Sequence, residues 1–251
     1  MFSPLDQFKI VPFFNFSVLG FDFSLTNFLL VGMLNLAILA GLIFTIRSKN
    51  SSSFFIAPSN WQLIVEKLYQ LVARLLSDII TTGSEKYFPI SVFIFMFILT
   101  NNLIGLVPYS FTVTSHATVT FFISFSIFVA LNIIGFEKHG LNFFSFFLPS
   151  NTGIFLALLL VPIEFVSYIS RPISLGIRLF INLMAGHSLL KVIAWFSWNM
   201  LLLENLKALI FLLPLLILVL LMGLELGVAF IQAYVFLTLT AIYLNDVEAL
   251  H

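Results

Sequence analysis

The feature that most constrains this chain is a pair of long stretches without charged side chains. Residues 23–46 and residues 87–136 contain no Asp, Glu, Lys or Arg. Over the whole chain, 61% of residues are hydrophobic and 9% are charged, whereas a soluble domain carries roughly 25% charged residues. Water could not solvate so apolar a surface, so the solvent for much of the chain must be the hydrocarbon of a lipid bilayer.

Charge and cysteine content exclude some classes of function. The formal net charge is zero, which argues against a nucleic-acid partner. The chain contains no cysteine, so disulfides are excluded. The first 20 residues resemble neither a signal peptide nor an Arg-rich import helix. We therefore expect insertion from the side of the membrane on which the chain is made, called the inner side below.

The N-terminal half predicts one membrane span followed by a different kind of helix. Residues 23–46 are long enough to cross a hydrocarbon core of ~30 Å. The basic residues Arg47 and Lys49 follow directly and should stay on the inner side, so the first span begins outside. Residues 61–86 carry charges on one face of an amphipathic helix, and we expect this helix to lie in the membrane interface. A buried bundle helix with one wet face is the alternative.

The rest of the chain predicts two pairs of helices, and residues 1–251 form a single membrane domain on this interpretation. Residues 89–136 form a helical hairpin broken near Pro108, which returns to the inner side. Residues 152–246 form two helices with a turn near Asn199–Leu203, each far longer than the ~20 residues of an upright span. Steep tilt would accommodate that length, and four short spans are the alternative. The predicted fold class is an all-α integral membrane protein of about five to six helices, with one amphipathic interfacial helix and two long, strongly tilted C-terminal helices.

Polar residues in the last two helices are the candidates for function, because ionisable side chains inside a membrane are rare and costly. At ~100° per residue, one face of the first helix carries several of them. These are Glu164, Arg171, Ser174, Arg178 and Asn182. On the second helix, spacings of seven and fourteen residues place a further set on one face, namely Glu225, Gln232 and Asp246.

Arg178 is the sharpest of these candidates. An arginine stays protonated, and its guanidinium at the centre of a bilayer costs ~2.5–3.5 kcal/mol on insertion scales. A fixed positive charge would attract a carboxylate that must lose its proton, and it would repel a proton moving past. The alternative is a structural arginine that pairs with Glu164 or caps backbone carbonyls.

His187 and Glu225 suit proton relay, because each changes its charge by binding one proton. On the expected topology they lie in the outer half of the membrane, whereas Glu164 and Asp246 lie toward the inner side. A packing histidine and a plain interfacial aspartate are the alternatives for His187 and Asp246. Two half-paths divided by Arg178 would pass protons to a moving carrier.

Residues 171–187, RPISLGIRLFINLMAGH, resemble the signature of subunit a of F-type ATP synthase. The resemblance covers nearly the whole chain, because several further segments match the family as well. They are residues 160–164 (LVPIE), Glu225 with Gln232, residues 3–8 (SPLDQF), residues 107–110 (VPYS), Ser115 with His116, and residues 243–246 (YLND).

The resemblance implies roles for these residues. Arg178 would face the rotating ring of c subunits, whose carboxylates bind and release protons. His187 and Glu225 would line the half-channel from the outer space, and Glu164 with Asp246 the half-channel to the matrix. Three polar residues would support these paths: Asn182, Ser174 and Gln232.

The resemblance also implies a location and partners. Bacterial members usually have an acid in place of His187 and a histidine in place of Glu225, so the exchanged pair indicates a multi-pass protein of the mitochondrial inner membrane, commonly encoded in the organelle. The expected partners are the c-ring, the peripheral stalk, other Fo membrane subunits and lipid. The resemblance implies no cofactor, no metal and no catalytic residue in this subunit.

Other classes of membrane protein fit the sequence less well. A subunit binding two haems needs paired histidines on facing helices, and the four histidines lack that spacing. A secondary transporter should show an internal repeat with broken helices, which is not seen. A passive proton channel is the nearest alternative, and copurification of a ring of small two-helix subunits would discriminate against it.

Overall fold

The computed structural model describes residues 8–15, 17–18, 21–22, 24–48, 60–80, 83–107, 110–140, 143, 154–201 and 208–248. Within them, short strands precede the helices. The strands are β1 (Pro12–Phe14), β2 (Ser17–Val18), β3 (Phe21–Asp22) and β4 (Leu25–Thr26). The helices are α1 (Asn27–Ser48), α2 (Asn60–Ile79), α3 (Ser84–Gly105), α4 (Ala117–His139), α5 (Ile154–Leu201) and α6 (Ala208–Glu248), with a 3-10 turn at Val113–Ser115. The chain is an all-α integral membrane protein, as the sequence predicted.

The strands near the N-terminus were not predicted. β1 pairs with β4 and β2 with β3, both antiparallel. The Asn27 side chain fixes the start of α1 beside β1, since its Oδ1 accepts from the Val11 amide at 3.2 Å and its Nδ2 donates to the Lys9 carbonyl at 3.0 Å. Strands of two or three residues are too short to produce a recognisable alternation of polar and apolar residues.

Helix boundaries differ from the sequence pattern at two places. The first span was predicted over residues 23–46, but β4 occupies Leu25–Thr26 and α1 begins at Asn27. The amphipathic helix was predicted over residues 61–86, but α2 ends at Ile79 and α3 already begins at Ser84. Gly83, with φ of 76°, lies before α3 in the left-handed conformation that glycine adopts at helix ends. The sequence also predicted a loop over residues 50–60, of which residues 50–59 lie outside the described residues and Asn60 already begins α2. The break at Pro108, the turn residues after 201 and residues 3–7 lie outside the described residues as well.

Four helices among the described residues are long and apolar enough to cross a membrane. The spanning segments are Ser84–Gly105, Ala117–His139, Ala157–Met200 and Leu213–Glu248. The described apolar segment of α1, Asn27–Leu42, is shorter than these four. The 48 residues of α5 extend about 72 Å at 1.5 Å per residue, more than twice the thickness of a hydrocarbon core. Pro162, Pro172 and Pro214 lie inside α5 and α6 without ending them, as membrane helices tolerate.

The chain forms two compact units. The first unit combines Met1–Gln62, Met96–His116 and Phe180–Ala233, and the second combines Leu63–Phe95, Ala117–Leu179 and Tyr234–His251. In the first unit, Asn102 is fully buried and its Nδ2 donates to the carbonyl of Ala229 at 3.2 Å. This bond joins α3 to α6 in the part of the molecule that holds the cavity described below.

The second unit has an apolar core of its own. Its most deeply buried large apolar side chains are Val72, Leu76, Phe95, Leu179, Phe236 and Leu237. α2 is amphipathic as predicted, because its buried Val72 and Leu76 alternate with exposed Glu66 and Arg74. α5 passes close to α4, since a Cβ on Gly176 would lie 2.7 Å from Ser124 Oγ and 3.2 Å from the Thr120 carbonyl oxygen.

Candidate functional site

A cavity of about 210 Å³ lies in the first unit, enclosed by residues of α3, α5 and α6. Its polar lining consists of Asn102, Asn182, His187, Glu225 and Gln232. A cavity of this size has room for several water molecules. Four of these five residues were singled out from the sequence, and the structure brings those four together.

His187 and Glu225 each present an unpaired polar atom. Nε2 of His187 and Oε2 of Glu225 are buried, and neither has a hydrogen-bond partner among the described residues. Buried polar atoms in proteins nearly always have a partner. An imidazole nitrogen and a carboxyl oxygen can each bind and release a proton. The cavity wall therefore carries two groups that can exchange protons.

Gly186 lets Glu225 approach α5 closely. A Cβ at Gly186 would collide with Oε1 of Glu225. By contrast, a Cβ at Gly223 or Gly227 would meet no atom within 4 Å. The carboxyl group of Glu225 thus occupies the space that any side chain at position 186 would need.

Asn182 and Gln232 form a direct link across the cavity wall. Nδ2 of Asn182 donates to Oε1 of Gln232 at 2.8 Å. Gln232 is buried, whereas Asn182 is exposed in the isolated chain. The pair therefore connects the buried lining of the cavity to the surface of α5.

A second polar cluster lies in the second unit, around Arg171. Nη1 of Arg171 lies 3.5 Å from Oδ2 of Asp246. The guanidinium also lies over the rings of Tyr243 and Tyr168, at 5.0 and 5.8 Å from their centroids. The Tyr168 hydroxyl donates in turn to Oδ1 of Asn132 at 2.9 Å. Arg171 is thus held by one carboxylate and two aromatic rings.

Arg178 has the opposite environment. Its side chain is exposed, and within the described residues it makes no hydrogen bond or ion pair. Glu164 is fourteen residues away on the same helix, about 21 Å along the axis, so it cannot be its partner. Ile177 and Ile181, the exposed neighbours of Arg178, are 37% and 50% accessible. The guanidinium is therefore unpaired within the described residues, and exposed apolar side chains of α5 lie beside it.

Ser174 and Glu164 lie on the same helix as Arg178 but take part in neither cluster. Ser174 is exposed and Glu164 is half-buried, and neither lines one of the two described cavities. The structure therefore leaves their predicted roles to be tested by experiment.

Known proteins resemble this chain over almost its whole length. The model of the family described as ATP synthase A chain matches residues 29–245. ATP synthase subunit a of Chondrus crispus is 47% identical over 249 residues, which is 99% of this chain and 97% of the relative. The subunits a of Brassica napus and Marchantia polymorpha are 48% and 43% identical, with 99% of this chain covered in both cases and 97% and 99% of the relatives.

The chain belongs to the ATP synthase A chain family. The family match includes the whole polar stripe from Glu164 to Gln232, and Asp246 follows directly after its last residue. The resemblance to subunit a that the sequence motifs indicated is therefore confirmed.

Two functional candidates of this ATP synthase A chain were missed by reasoning from the sequence. Asn102 lines the cavity, and its Oδ1 is buried without a partner in the described part of the chain. Arg171 was placed on the polar stripe but given no role, although it is the partner of Asp246. The adjacent amides of Asn101 and Asn102 in an otherwise apolar helix were a signal that could have identified the first of them.

Proposed function

We propose that this chain works through two half-channels for protons, kept apart by Arg178. Family membership makes the chain a membrane subunit of the Fo part of ATP synthase that takes part in proton transport. It is a multi-pass protein of the mitochondrial inner membrane. In this role it performs no bond chemistry on ATP, and it directs protons to and from a rotating ring of c subunits.

The outer half-channel is proposed to be the cavity of the first unit. The observation that carries this proposal is that Nε2 of His187 and Oε2 of Glu225 are both buried and unpaired on the described part of one cavity. A proton bound by His187 can pass to Glu225 and then leave toward the ring, and each group returns to its starting charge. The pair of Asn182 and Gln232 supports this path by linking the cavity to the surface of α5.

The inner half-channel is proposed to run by way of Asp246 and Glu164. Asp246 is held by Arg171, and Glu164 lies seven residues before Arg171, on the same face of α5. A proton released from the ring near Arg178 would first pass Asp246, at the level of Arg171, and would then continue past Glu164 to the matrix. Ser174, four residues before Arg178, would support this path with its hydroxyl.

Arg178 is proposed to act on the carboxylates of the ring. Its exposed, unpaired guanidinium is free to pair with a carboxylate from another subunit. As a protonated carboxyl approaches, the fixed positive charge stabilises the ionised form, so the proton is released into the inner path. The same charge repels a free proton, which keeps the two half-channels from joining. The apolar surface around Ile177 and Ile181 suits contact with the ring, and the remaining exposed faces suit lipid, the peripheral stalk and other Fo subunits.

Arg178→Ala tests this function directly. We expect coupled ATP synthesis to be lost while the complex still assembles, because an exposed side chain without partners contributes little to packing. ATP synthesis driven by a proton gradient is measured in vesicles, and assembly is measured by native gel. The matched control is Arg74→Ala, which removes an exposed arginine of α2 and should leave synthesis unchanged. Coupled synthesis at the wild-type rate in the Arg178 variant would refute the proposal.

Glu225→Gln tests the outer half-channel. The amide keeps the size of the side chain but cannot carry a proton, so we expect proton flux to fall severalfold while the subunit still binds the ring. Flux is measured as decay of a pH gradient in reconstituted vesicles. Glu66→Gln, at an exposed position of α2, is the control for losing one carboxylate. Unchanged flux in the Glu225 variant would remove this residue from the path.

A further inference from the structure

The part of the α3–α4 connection that lies nearer α4 is buried, although connections between helices normally lie at the surface. Residues 111–115, called the buried turn below, are all buried, with Thr112 only 3% and Thr114 only 1% exposed. The hydroxyl of Ser115 donates to the carbonyl oxygen of Thr112 at 2.6 Å. The hydroxyls of both threonines are buried and have no partner among the described residues.

Unpaired buried hydroxyls call for an explanation, because a hydroxyl that leaves water without gaining a hydrogen bond destabilises the fold. Thr120 provides the contrast within the same region of sequence. It is equally buried, but its hydroxyl donates to the carbonyl of Ala117 at 3.0 Å. A buried threonine hydroxyl can thus find an acceptor in a nearby backbone carbonyl, as in Thr120. The Thr112 hydroxyl has no such partner among the described residues.

The position of Gly105 shows what Thr112 lies beside. A Cβ on Gly105 would be 2.9 Å from Cγ2 of Thr112 and 3.5 Å from Nε2 of His187. Both side chains therefore meet over the same glycine at the end of α3. His187 Nε2 is the unpaired atom that lines the cavity, so the buried turn reaches the cavity at Gly105.

The polar lining continues along the turn beyond Thr112. Nε2 of His116 is buried without a partner in the residues described, and its ring lies against Phe111 and Phe28 at centroid distances of 5.2 and 5.9 Å. Burial lowers the pKa of His116. The turn, with His116 directly after it, thus holds unpaired polar atoms of Thr112, Thr114 and His116, and Thr112 lies beside His187 across Gly105.

We propose that the buried turn is the outer entrance to the cavity and that Thr112 is a positioning residue of proton transfer, with Gly105 as the spacer that keeps the passage open. This proposal rests on the proposed role of His187 and Glu225. Water held by the Thr112 hydroxyl donates one proton to Nε2 of His187 and takes one proton from the next water on the outer side. The hydroxyl of Thr112 ends with the proton it began with, so the net result is entry of one proton.

Variants at Thr112 test the positioning role. Thr112→Val keeps the shape and removes the hydroxyl, and we expect proton flux through the intact ATP synthase to fall severalfold. Thr112→Ser restores the hydroxyl and should restore most of the flux, which a purely structural role of the threonine methyl group would not predict. Thr118→Val removes an exposed hydroxyl of α4 and should have no effect. Full flux in Thr112→Val would overturn the proposal.

A variant at Gly105 tests the spacer. The added methyl of Gly105→Ala would press on Cγ2 of Thr112 and fill the space beside Nε2 of His187, so we expect flux to fall while assembly on native gels is unchanged. Gly32→Ala in α1 is the control, because a Cβ there meets nothing within 4 Å. Wild-type flux in Gly105→Ala would show that no passage runs between these side chains.

Water access can be measured separately from flux, because the chain has no cysteine of its own. A single Thr112→Cys change should react with a small water-soluble methanethiosulfonate added from the outer side. Thr120→Cys, buried to the same degree but at a satisfied position, should stay unmodified. A Thr112→Cys protein that stays unmodified as well would contradict an entrance here.

The outcomes separate this inference from the function on which it rests. If Glu225→Gln blocks flux while the variants at Thr112 and Gly105 conduct normally, the outer half-channel stands and its entrance lies elsewhere. If Glu225→Gln also conducts normally, the outer half-channel itself fails, and the role of Thr112 fails with it.

Discussion

At the scale of residues, the two arginines of α5 show how similar positions acquire different tasks. Arg171 and Arg178 are seven residues apart and share one face of the helix by their spacing. Arg171 is held by Asp246 and by two tyrosine rings, whereas Arg178 has no partner within the described residues. A charge that is already paired stabilises its own subunit, and only the unpaired one is available to another subunit.

This contrast predicts that the two arginines affect different measurements. Arg171→Ala should lower the Tm of the solubilised complex, because Asp246 loses its ion pair and the tyrosines lose their cation–π partner. The loss should be about 1 kcal/mol, since the pair is partly exposed. Arg178→Ala should leave Tm unchanged while abolishing coupled synthesis. Equal Tm values for both variants would show that Arg171 is not held as described.

The sequence revealed the polar residues of α5 and α6 but not those of α3 and of the turn that follows it. Arg178, His187 and Glu225 could be identified because an ionisable side chain in an apolar helix is costly wherever the helix packs. Asn102 and Thr112 carry no charge, and their importance depends on which helix or turn lies beside them. The tertiary fold decides which elements are neighbours, and the periodicity of a single helix does not reveal those neighbours.

At the scale of elements, the C-terminal end of α6 is fastened to two other helices by one carboxyl group. Glu248 accepts from the Tyr87 hydroxyl of α3 at 2.8 Å and pairs with the Lys138 ammonium of α4. The Glu248 side chain is 4% exposed, although Lys138 is 43% exposed. Removing one partner from a buried charge is costly, because the other charge is left desolvated.

A charge exchange tests this fastening. Lys138→Glu should lower the Tm of the solubilised complex, because it places two carboxylates side by side. The double variant Lys138→Glu with Glu248→Lys should recover part of the lost stability. Thermal unfolding monitored by release of the subunit gives both values. If the double variant is no more stable than Lys138→Glu alone, the two side chains do not interact.

Helix types were easier to predict from the sequence than helix boundaries. Long apolar runs identify α3, α4, α5 and α6, because a helix in lipid is apolar around most of its surface. A period of 3.6 residues identifies α2, which is polar on one face. The break between α2 and α3 includes the left-handed residue Gly83. An amphipathic pattern of polar and apolar residues does not reveal this backbone conformation. The four short strands depend on pairing between residues distant in sequence, as in Pro12 with Thr26.

At the scale of the whole molecule, an unusually large share of the surface is apolar. Phe122 and Leu158 are 76% and 77% exposed, and they are two of many large hydrophobic side chains in that state. In water such a surface would drive aggregation, whereas lipid and neighbouring subunits cover it without cost. The orientation of this surface in the membrane decides which of the two proposed half-channels would face which compartment.

Single cysteines report that orientation. By the positive-inside rule, Glu137→Cys at the end of α4 should react only from the inner side, and Asn199→Cys near the end of α5 only from the outer side. A membrane-impermeant maleimide added to sealed vesicles of each orientation measures this. The reverse pattern would exchange the outer and inner assignments of the two half-channels, and labelling of both residues from one side would contradict the predicted arrangement of spans.

The close fit of Glu225 over Gly186 has a genetic consequence. Every missense change of a glycine codon adds at least a Cβ, and at position 186 that atom would collide with the carboxyl of Glu225. A replacement there forces the carboxyl of Glu225 to move, so under the proposed proton path such alleles should be selected against. Gly223 lies two residues before the same glutamate but has open space around it within the subunit. Heritable variants should therefore be tolerated at 223 and absent at 186, which sequencing of natural populations can measure.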